Sequence, residues 1–432
     1  MSPAGRPGRR PAPAPVPSVL VLALALLTGA GVALLVGAAI APAARATPVP
    51  RLSVRAAALY APATGQTLYA DRAQDELAVA SATKLMTALI TLEHVHDLGT
   101  VFTQNNYVPA PVDSQIGLVP GERMSVHDLL IALMLPSADD AAEDLAYNLG
   151  HGSIARFVAM MNERARQLGL RHTHYATPSG LDTVGNHSSA SDLNRLAAYD
   201  LEHSAFLARV VALGHAVLHS GSHVRSVINR NTLVREYPWI DGVKTGHTAA
   251  AGYVLVASGH RNGMRLVSSV LGTTSESARD ANTLALLDWG FSTFRQRTPV
   301  RGGEVLARPT VTDQPGLTAA LVAARGLTRI FNRADRVTVR LRAPRVVTGP
   351  LRRGTALGSA VVLVNGRPVD RLPLLLARSV PAVSVLTLAG RFLTRPLTLI
   401  LIVLTAGALV AVALRVRQRR RTSEARRELE AA

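Results

Sequence analysis

The stretch Ser81-Ala82-Thr83-Lys84 is the most informative part of this chain, because it places a hydroxyl and an amine three residues apart. Residues at this spacing lie on one face of a helix and can form a hydrogen bond. The residues that follow, from Leu85 to Leu92, are largely apolar and predict a buried helix. Because burial disfavours the charged form of a lysine, the pattern indicates an amine that can take the serine proton.

Lysine is rare in this chain, which gives that stretch more weight. The chain has 47 basic residues, of which Lys84 and Lys244 are the two lysines. Arginine cannot be deprotonated in a protein, so a lysine in such a chain marks a place where arginine would not serve. Lys244 opens Lys244-Thr245-Gly246, which on a strand would point the first two side chains toward a substrate carboxylate. Gly246 would let the substrate backbone lie close.

A third element lies between these two in the chain, at Leu135-Pro136-Ser137-Ala138-Asp139-Asp140-Ala141-Ala142. Apolar periodicity predicts helices over 126–135 and 141–148, with a break at Pro136-Ser137. A lone Ser-x-x-Lys is a weak motif and usually marks only the start of a helix. Three such elements in this order indicate a serine acyl-transfer enzyme of the penicillin-recognising kind.

With these motifs the chain resembles the D-alanyl-D-alanine carboxypeptidases, which are low-molecular-mass penicillin-binding proteins of the serine peptidase class. The similarity runs from about Leu52 to Leu375. Four further segments carry it: Met161-Asn162-Glu163-Arg164-Ala165, Pro178-Ser179-Gly180-Leu181-Asp182, Ser188-Ser189-Ala190-Ser191-Asp192-Leu193 and Leu286-Leu287-Asp288-Trp289-Gly290-Phe291.

The resemblance implies a role for each motif residue. Ser81 would be the nucleophile, Lys84 its base, and Ser137 the relay of a proton toward the leaving D-alanine. The backbone amides of Ser81 and His247 would form the oxyanion hole. The resemblance also implies a substrate-binding set, which comprises Lys244, Thr245, Gly246, His247, Arg279 and Asp139. No metal and no organic cofactor are expected.

Asp139 departs from the family pattern, which usually has asparagine at this position. An amide both accepts and donates hydrogen bonds, whereas a carboxylate only accepts unless it is protonated. A carboxylate here would favour the charged form of Lys84 and work against its role as a base. We therefore expect Asp139 either to be a structural partner of Lys84 or to alter the turnover.

The predicted fold is mixed α/β (α+β), with an antiparallel sheet flanked by helices, which is the penicillin-binding, β-lactamase-like transpeptidase domain that the resemblance implies. Apolar runs predict a β-hairpin around Pro62-Ala63-Thr64-Gly65 and another around a turn from Gly259 to Gly263. Alternating segments after residue 300, with a turn at Asn365-Gly366, predict a small β domain that follows a less ordered stretch near 311–334.

The two ends of the chain predict membrane segments. An apolar run from Val19 to Ala41 follows three arginines, which predicts a secretory signal or signal anchor over 1–46. The catalytic domain is placed at 50–296 and the β domain at 297–385. The uncharged run from Leu397 to Leu414 precedes five arginines, so we expect a transmembrane helix over 396–414 and a basic cytoplasmic tail over 415–432. The catalytic domain would then lie outside the cytoplasm, at the cell membrane.

The composition and the sequence pattern exclude several classes of function. The chain has no cysteine, so disulfides and thiol nucleophiles are excluded. Its net charge of +18 comes from arginines that lack aromatic interleaving, which does not favour nucleic acid as a partner. The expected partners are peptidoglycan stem peptides, β-lactam antibiotics and the membrane. No glutamate occurs from Arg164 to Leu201, where a class A β-lactamase carries its deacylating residue. The open alternatives are a D,D-endopeptidase, a transpeptidase, a β-lactamase-like acyl hydrolase and a catalytically inactive wall-binding module.

Overall fold

The computed structural model describes residues 48–430, and the predicted signal over 1–46 lies outside these residues. A five-stranded antiparallel sheet forms the centre, with strand order β2-β1-β9-β8-β7. Its strands are β1 (Ala56–Ala61), β2 (Gln66–Asp71), β7 (Ile240–Thr248), β8 (Gly252–Arg261) and β9 (Met264–Thr273). The strand β7 lies at one edge of the sheet.

The strand β1 shows how the sheet separates two cores, because side chains on a strand alternate between its faces. Ala56 and Ala58 belong to the larger core, which contains most of the helices. Ala57 and Leu59 belong to a second core on the opposite face. All four residues are buried, so β1 is covered by protein on both sides.

Helices cover both faces of this sheet. Helix α5 contacts β1 and β9 on one face, and α8 contacts β8 and β9 on the other. The helices up to this point are α1 (Lys84–His94), α2 (Val126–Met134), α3 (Asp139–Leu149), α4 (Ile154–Gln167), α5 (Ala190–His203), α6 (Ala205–Val211), α7 (Leu233–Glu236) and α8 (Glu276–Thr293). The predicted break at Pro136-Ser137 therefore separates α2 from α3. Short two-stranded pairs complete this part: β3 (Val101–Thr103) with β4 (Arg123–Ser125), and β5 (His215–Leu218) with β6 (Arg225–Ile228).

The second predicted hairpin exists, but its turn was placed wrongly at one end. Gly259 lies inside β8, where it pairs with Leu266, and the chain reverses at Asn262-Gly263. A Cβ atom on Gly259 would lie 3.0 Å from the ring of Trp239. This glycine therefore makes room for an aromatic ring and does not form a turn.

A smaller β-rich part follows α8 and has a separate hydrophobic core. Its five-stranded sheet has the order β11-β13-β18-β17-β15, and two further pairs join β10 to β14 and β12 to β16. The strands are β10 (Phe294–Val300), β11 (Val305–Ala307), β12 (Thr310–Val311), β13 (Leu321–Ala323), β14 (Leu327–Asn332), β15 (Val337–Arg342), β16 (Val346–Val347), β17 (Ala356–Val364) and β18 (Arg367–Leu376). The predicted turn at Asn365-Gly366 joins β17 to β18. The prediction of a less ordered stretch near 311–334 was wrong, because β13 and β14 lie within it.

The chain ends in two helices, α9 (Val385–Leu393) and α10 (Pro396–Glu430). Within α10, the segment Pro396–Ala425 contains an 18-residue window that is long and apolar enough to cross a membrane, and none of that window is buried against protein. This helix is consistent with membrane association. The predicted span over 396–414 is its N-terminal half.

Candidate active site

Ser81 and Lys84 lie where a short 3₁₀ turn, Ala80–Thr83, leads into α1. Nζ of Lys84 donates a hydrogen bond to Oγ of Ser81 over 2.8 Å. Ser81 is partly exposed, whereas Lys84 is fully buried. The turn therefore presents a hydroxyl at the surface with an amine directly beneath it.

Two other acceptors hold the Lys84 amine. It donates to Oδ1 of Asp139 over 2.5 Å and to the carbonyl oxygen of Ser179 over 2.7 Å. Burial lowers the pKa of Lys84, and the carboxylate of Asp139 opposes that shift. Because burial is the larger effect, the amine loses its proton more readily than a lysine in water.

The turn between α2 and α3 contributes Ser137. Its φ of 69° is in the left-handed region, which few residues other than glycine adopt. Its Oγ is buried, and no hydrogen-bond partner for it exists among residues 48–430. A strained backbone that holds an unpaired hydroxyl is typical of a functional site.

The edge strand β7 carries Lys244-Thr245-Gly246 against the Ser81 turn. A Cβ atom on Gly246 would lie 3.0 Å from the backbone nitrogen of Ser81, so β7 and the turn are in close contact. Lys244 is buried, and its Nζ donates to the carbonyl oxygen of Thr245 over 3.1 Å. Burial lowers the pKa of Lys244 well below its usual value, and the nearby charge of Lys84 lowers it further. His247 is exposed, with its ring centre 4.1 Å from that of Tyr253.

A cleft of about 950 Å³ joins these elements. Six of the predicted site residues line it: Ser81, Ser137, Thr245, Gly246, His247 and Arg279. The other three, Lys84, Asp139 and Lys244, are buried next to it and do not line it. Arg279 is held by Glu276 and Asp280, each over 2.8 Å. The structure therefore brings all nine predicted residues to one place.

Three contributors were missed from the sequence. The carbonyl oxygen of Ser179 accepts a hydrogen bond from the Lys84 amine, whereas the sequence offers Ser179 only as part of a segment that carries the family resemblance. Glu143 follows Asp139 by one turn of α3 and accepts a hydrogen bond from Oγ of Ser179 over 3.4 Å. Burial raises the pKa of Glu143 to about 7. The four-residue spacing of the two acidic residues on one helix was the available signal. Arg230 also lines the cleft.

An antiparallel sheet that is covered by helices and has this cleft along its edge strand is the arrangement of the penicillin-recognising serine hydrolases. A family model described as D-alanyl-D-alanine carboxypeptidase matches residues 43–275, more than half of the chain. The chain belongs to this family and is a hydrolase of the serine peptidase class.

Curated relatives and solved structures agree with this family. The chain is 28% identical to D-alanyl-D-alanine carboxypeptidase DacF of Bacillus subtilis over 72% of its own length and 81% of the relative. It is 33% identical to a D-alanyl-D-alanine carboxypeptidase of a Streptomyces species, over 60% and 94% of the two chains. Penicillin binding protein 5 of Haemophilus influenzae is similar in structure, with a TM-score of 0.63, 26% identity, and coverage of 77% of this chain and 98% of that one.

Proposed function

We propose that this protein is a membrane-tethered D,D-carboxypeptidase that removes the terminal D-alanine from peptidoglycan stem pentapeptides. The observation that carries the proposal is the fully buried amine of Lys84, 2.8 Å from the hydroxyl of Ser81. A hydroxyl needs a nearby base to become a nucleophile, and a desolvated amine is one.

In the first step, Lys84 takes the Ser81 proton while Oγ attacks the carbonyl carbon between the two D-alanines. The backbone amides of Ser81 and His247 stabilise the resulting oxyanion. The bond to the leaving nitrogen then breaks, and Ser137 gives its proton to that nitrogen while it takes the proton that Lys84 received from Ser81. The buried, unpaired Oγ of Ser137 supports this role, because it is free to accept and donate in turn.

Substrate binding uses other residues of the cleft. Thr245 and Arg279, which line the cleft, hold the terminal carboxylate, and the buried Lys244 amine lies against the carbonyl oxygen of Thr245. Gly246 does not make room for the substrate as expected from the sequence; its missing Cβ lets the Ser81 turn lie against β7. Water then attacks the acyl-enzyme and releases the shortened peptide. A β-lactam carries a similar carboxylate and carbonyl, so it acylates Ser81 in the same way.

Asp139 affects the first step, because its carboxylate stabilises the charged form of Lys84. We infer that it slows acylation at neutral pH without preventing it, since burial still lowers the lysine pKa. The alternatives of an endopeptidase and a transpeptidase share the same acyl-enzyme and differ in the bond cleaved or the acceptor. A catalytically inactive wall-binding module would not form the acyl-enzyme at all.

Release of D-alanine from a synthetic stem pentapeptide tests the proposal, together with labelling by a fluorescent penicillin. Ser81→Ala and Lys84→Arg should each abolish both signals, because the second keeps the charge and loses the base. Ser226→Ala is a matched control, since this serine lines the same cleft. Full labelling of the Lys84→Arg variant would contradict the proposed base.

We also infer how the protein sits in the cell. The terminal helix anchors it to the cell membrane, with the arginines after residue 414 on the cytoplasmic side. The catalytic domain, at 50–296, and the β domain, at 297–385, then lie on the cell-wall side. The separate hydrophobic core of the β domain supports this division. Protease digestion of intact spheroplasts should remove both domains and leave the tail protected.

A further inference from the structure

A small cavity of about 160 Å³ lies away from the active site, where α8 runs into β10. Three arginines line it: Arg261 at the end of β8, Arg295 on β10 and Arg333 just after β14. Arg261 lies five residues beyond Val256, the strand neighbour of Lys244. At about 3.4 Å per residue this is roughly 17 Å from the lysine, so the two sites are separate.

Protein contacts hold two of the three guanidinium groups in place. Arg261 lies 3.7 Å over the ring of Trp239 and pairs with Asp288 over 2.8 Å. Arg333 donates to the carbonyl oxygen of Phe291 over 3.1 Å. Preorganised guanidinium groups lose little freedom when they bind an oxyanion, which favours binding.

Arg295 supplies the strongest indication of a ligand. One of its terminal nitrogens donates to the carbonyl oxygen of Arg333 over 3.4 Å. Its Nε is buried and has no acceptor within the part of the chain that the structure describes. A buried donor on a charged group costs free energy when it is left unpaired. A ligand oxygen in the cavity would satisfy it.

The surrounding charge indicates the class of ligand. Arg297 and Arg329 are direct partners across β10 and β14, and Arg297 shares a strand face with Arg295. Like charges in this position destabilise a strand pair unless an anion lies near. Among the ion pairs of residues 48–430, only that of Arg261 joins one of these five arginines to a carboxylate. A single carboxylate ligand would leave most of this charge unbalanced, whereas phosphate brings more charge and more acceptor oxygens.

We propose that Arg261, Arg295 and Arg333 form a binding site for a phosphate group, which Arg297 and Arg329 extend toward a second phosphate. A water molecule takes about 30 Å³ of liquid, so the cavity has room for an anion with four oxygens. Phosphate of this kind occurs in anionic phospholipid headgroups and in phosphate-bearing polymers outside the cell.

Titration of the purified full chain with inorganic phosphate, in a neutral detergent and at constant ionic strength against chloride, tests the site. Calorimetry should show saturable binding to the wild-type protein. Arg295→Gln should weaken it about tenfold or more, since it removes a charged donor. Arg295→Lys keeps the charge and loses the donor at Nε, so it should weaken binding as well. Arg340→Gln is the matched control, because it removes an exposed arginine of β15 outside the cavity.

The melting temperature of each variant without phosphate shows whether it is folded. If Arg295→Gln unfolds, the comparison of Arg295→Lys with Arg340→Gln decides. No saturable binding by the wild type, or equal weakening by Arg340→Gln, would overturn the proposal.

Repeating the titration in nanodiscs identifies the source of the phosphate. If phosphatidylglycerol discs weaken phosphate binding relative to phosphatidylcholine discs, the lipid headgroup occupies the site. If both discs give the same affinity, the site takes phosphate from the aqueous side. Either result supports the site.

Discussion

Replacing Asp139 with asparagine removes one charge from the buried group around Lys84 and keeps the shape of the side chain. The amide oxygen can still accept the hydrogen bond that the carboxylate accepts over 2.5 Å. The variant loses the attraction that favours the ammonium form of Lys84, and it also loses the Oδ2 acceptor that takes a 3.2 Å hydrogen bond from the Ser114 backbone amide. The pKa of Lys84 should therefore fall below its wild-type value.

The size of this shift sets the size of the rate effect. An opposite charge at hydrogen-bond distance typically shifts a pKa by about one to three units. At a pH below the pKa of Lys84, each unit by which that pKa falls raises the fraction of neutral amine about tenfold. We expect Asp139→Asn to raise the acylation rate about tenfold on the acidic limb of the pH profile. At a pH where the wild-type amine is already neutral, the two rates should be equal.

The same change should reduce stability in a pH-dependent way. Burial holds the pKa of Lys84 below its unfolded value, so the folded state is penalised wherever the amine is charged. A further fall in the pKa of Lys84 enlarges that penalty by about 1.4 kcal/mol for each pKa unit, at any pH below the folded pKa. The difference in unfolding free energy between variant and wild type should thus be largest on the acidic side of the folded pKa of Lys84 and should close as pH rises.

Stopped-flow labelling with a fluorescent penicillin from pH 5 to pH 10, with urea unfolding at each pH, measures both effects. Asp140→Asn is the control, because the carboxylate of Asp140 accepts from the backbone amides of Ile116 and Leu118 and makes no contact with Lys84. It should lower stability without moving the acidic limb. If a folded Asp139→Asn protein fails to label, or if its limb moves to higher pH, the reasoning about Lys84 is wrong.

Three further predictions follow from individual residues. Burial raises the pKa of Glu143 to about 7, which penalises folding once that carboxyl ionises. Glu143→Gln should thus stabilise the protein by up to about 3 kcal/mol at pH 8 and by little at pH 5. The same stabilisation at both pH values in urea unfolding would contradict this prediction. Gly246→Ala should slow acylation about tenfold or more, since its Cβ would press on the Ser81 backbone, whereas Gly407→Ala, in open space, should not. Ser137→Gly should relieve the left-handed strain by about 1 kcal/mol yet cut D-alanine release about a hundredfold, and a stable, fully active variant would exclude the relay.

The parts of the site that the sequence predicted are those set by local spacing. Ser81 and Lys84 meet because they are three residues apart at a helix start, and the break between α2 and α3 follows from Pro136-Ser137. The resemblance added Arg279, which spacing alone would not have selected. All of these residues lie beside one cleft.

The parts that were missed depend on long-range packing. Ser179 reaches Lys84 across 95 residues of chain, because Gly180 adopts a φ of 90° beneath the Ser81 turn. A Cβ atom at Gly180 would lie 2.0 Å from the carbonyl oxygen of Ala80, so only glycine fits there. Likewise, β13 has three residues, and a strand of this length is too short to be predicted from the alternation of apolar and polar residues.

The hydrogen bonds around Lys84 explain how a buried amine with a carboxylate partner can still act as a base. An ammonium group has three protons, and here they point to Ser81, Asp139 and Ser179. When the proton toward Ser81 is lost, the two that remain keep their acceptors, so no buried donor becomes unpaired. The freed lone pair then faces the serine hydroxyl. This arrangement needs a hydrogen-bond acceptor at residue 139 and does not need a charge there. An aspartate and an asparagine at this position therefore differ in how strongly each favours the charged form of Lys84.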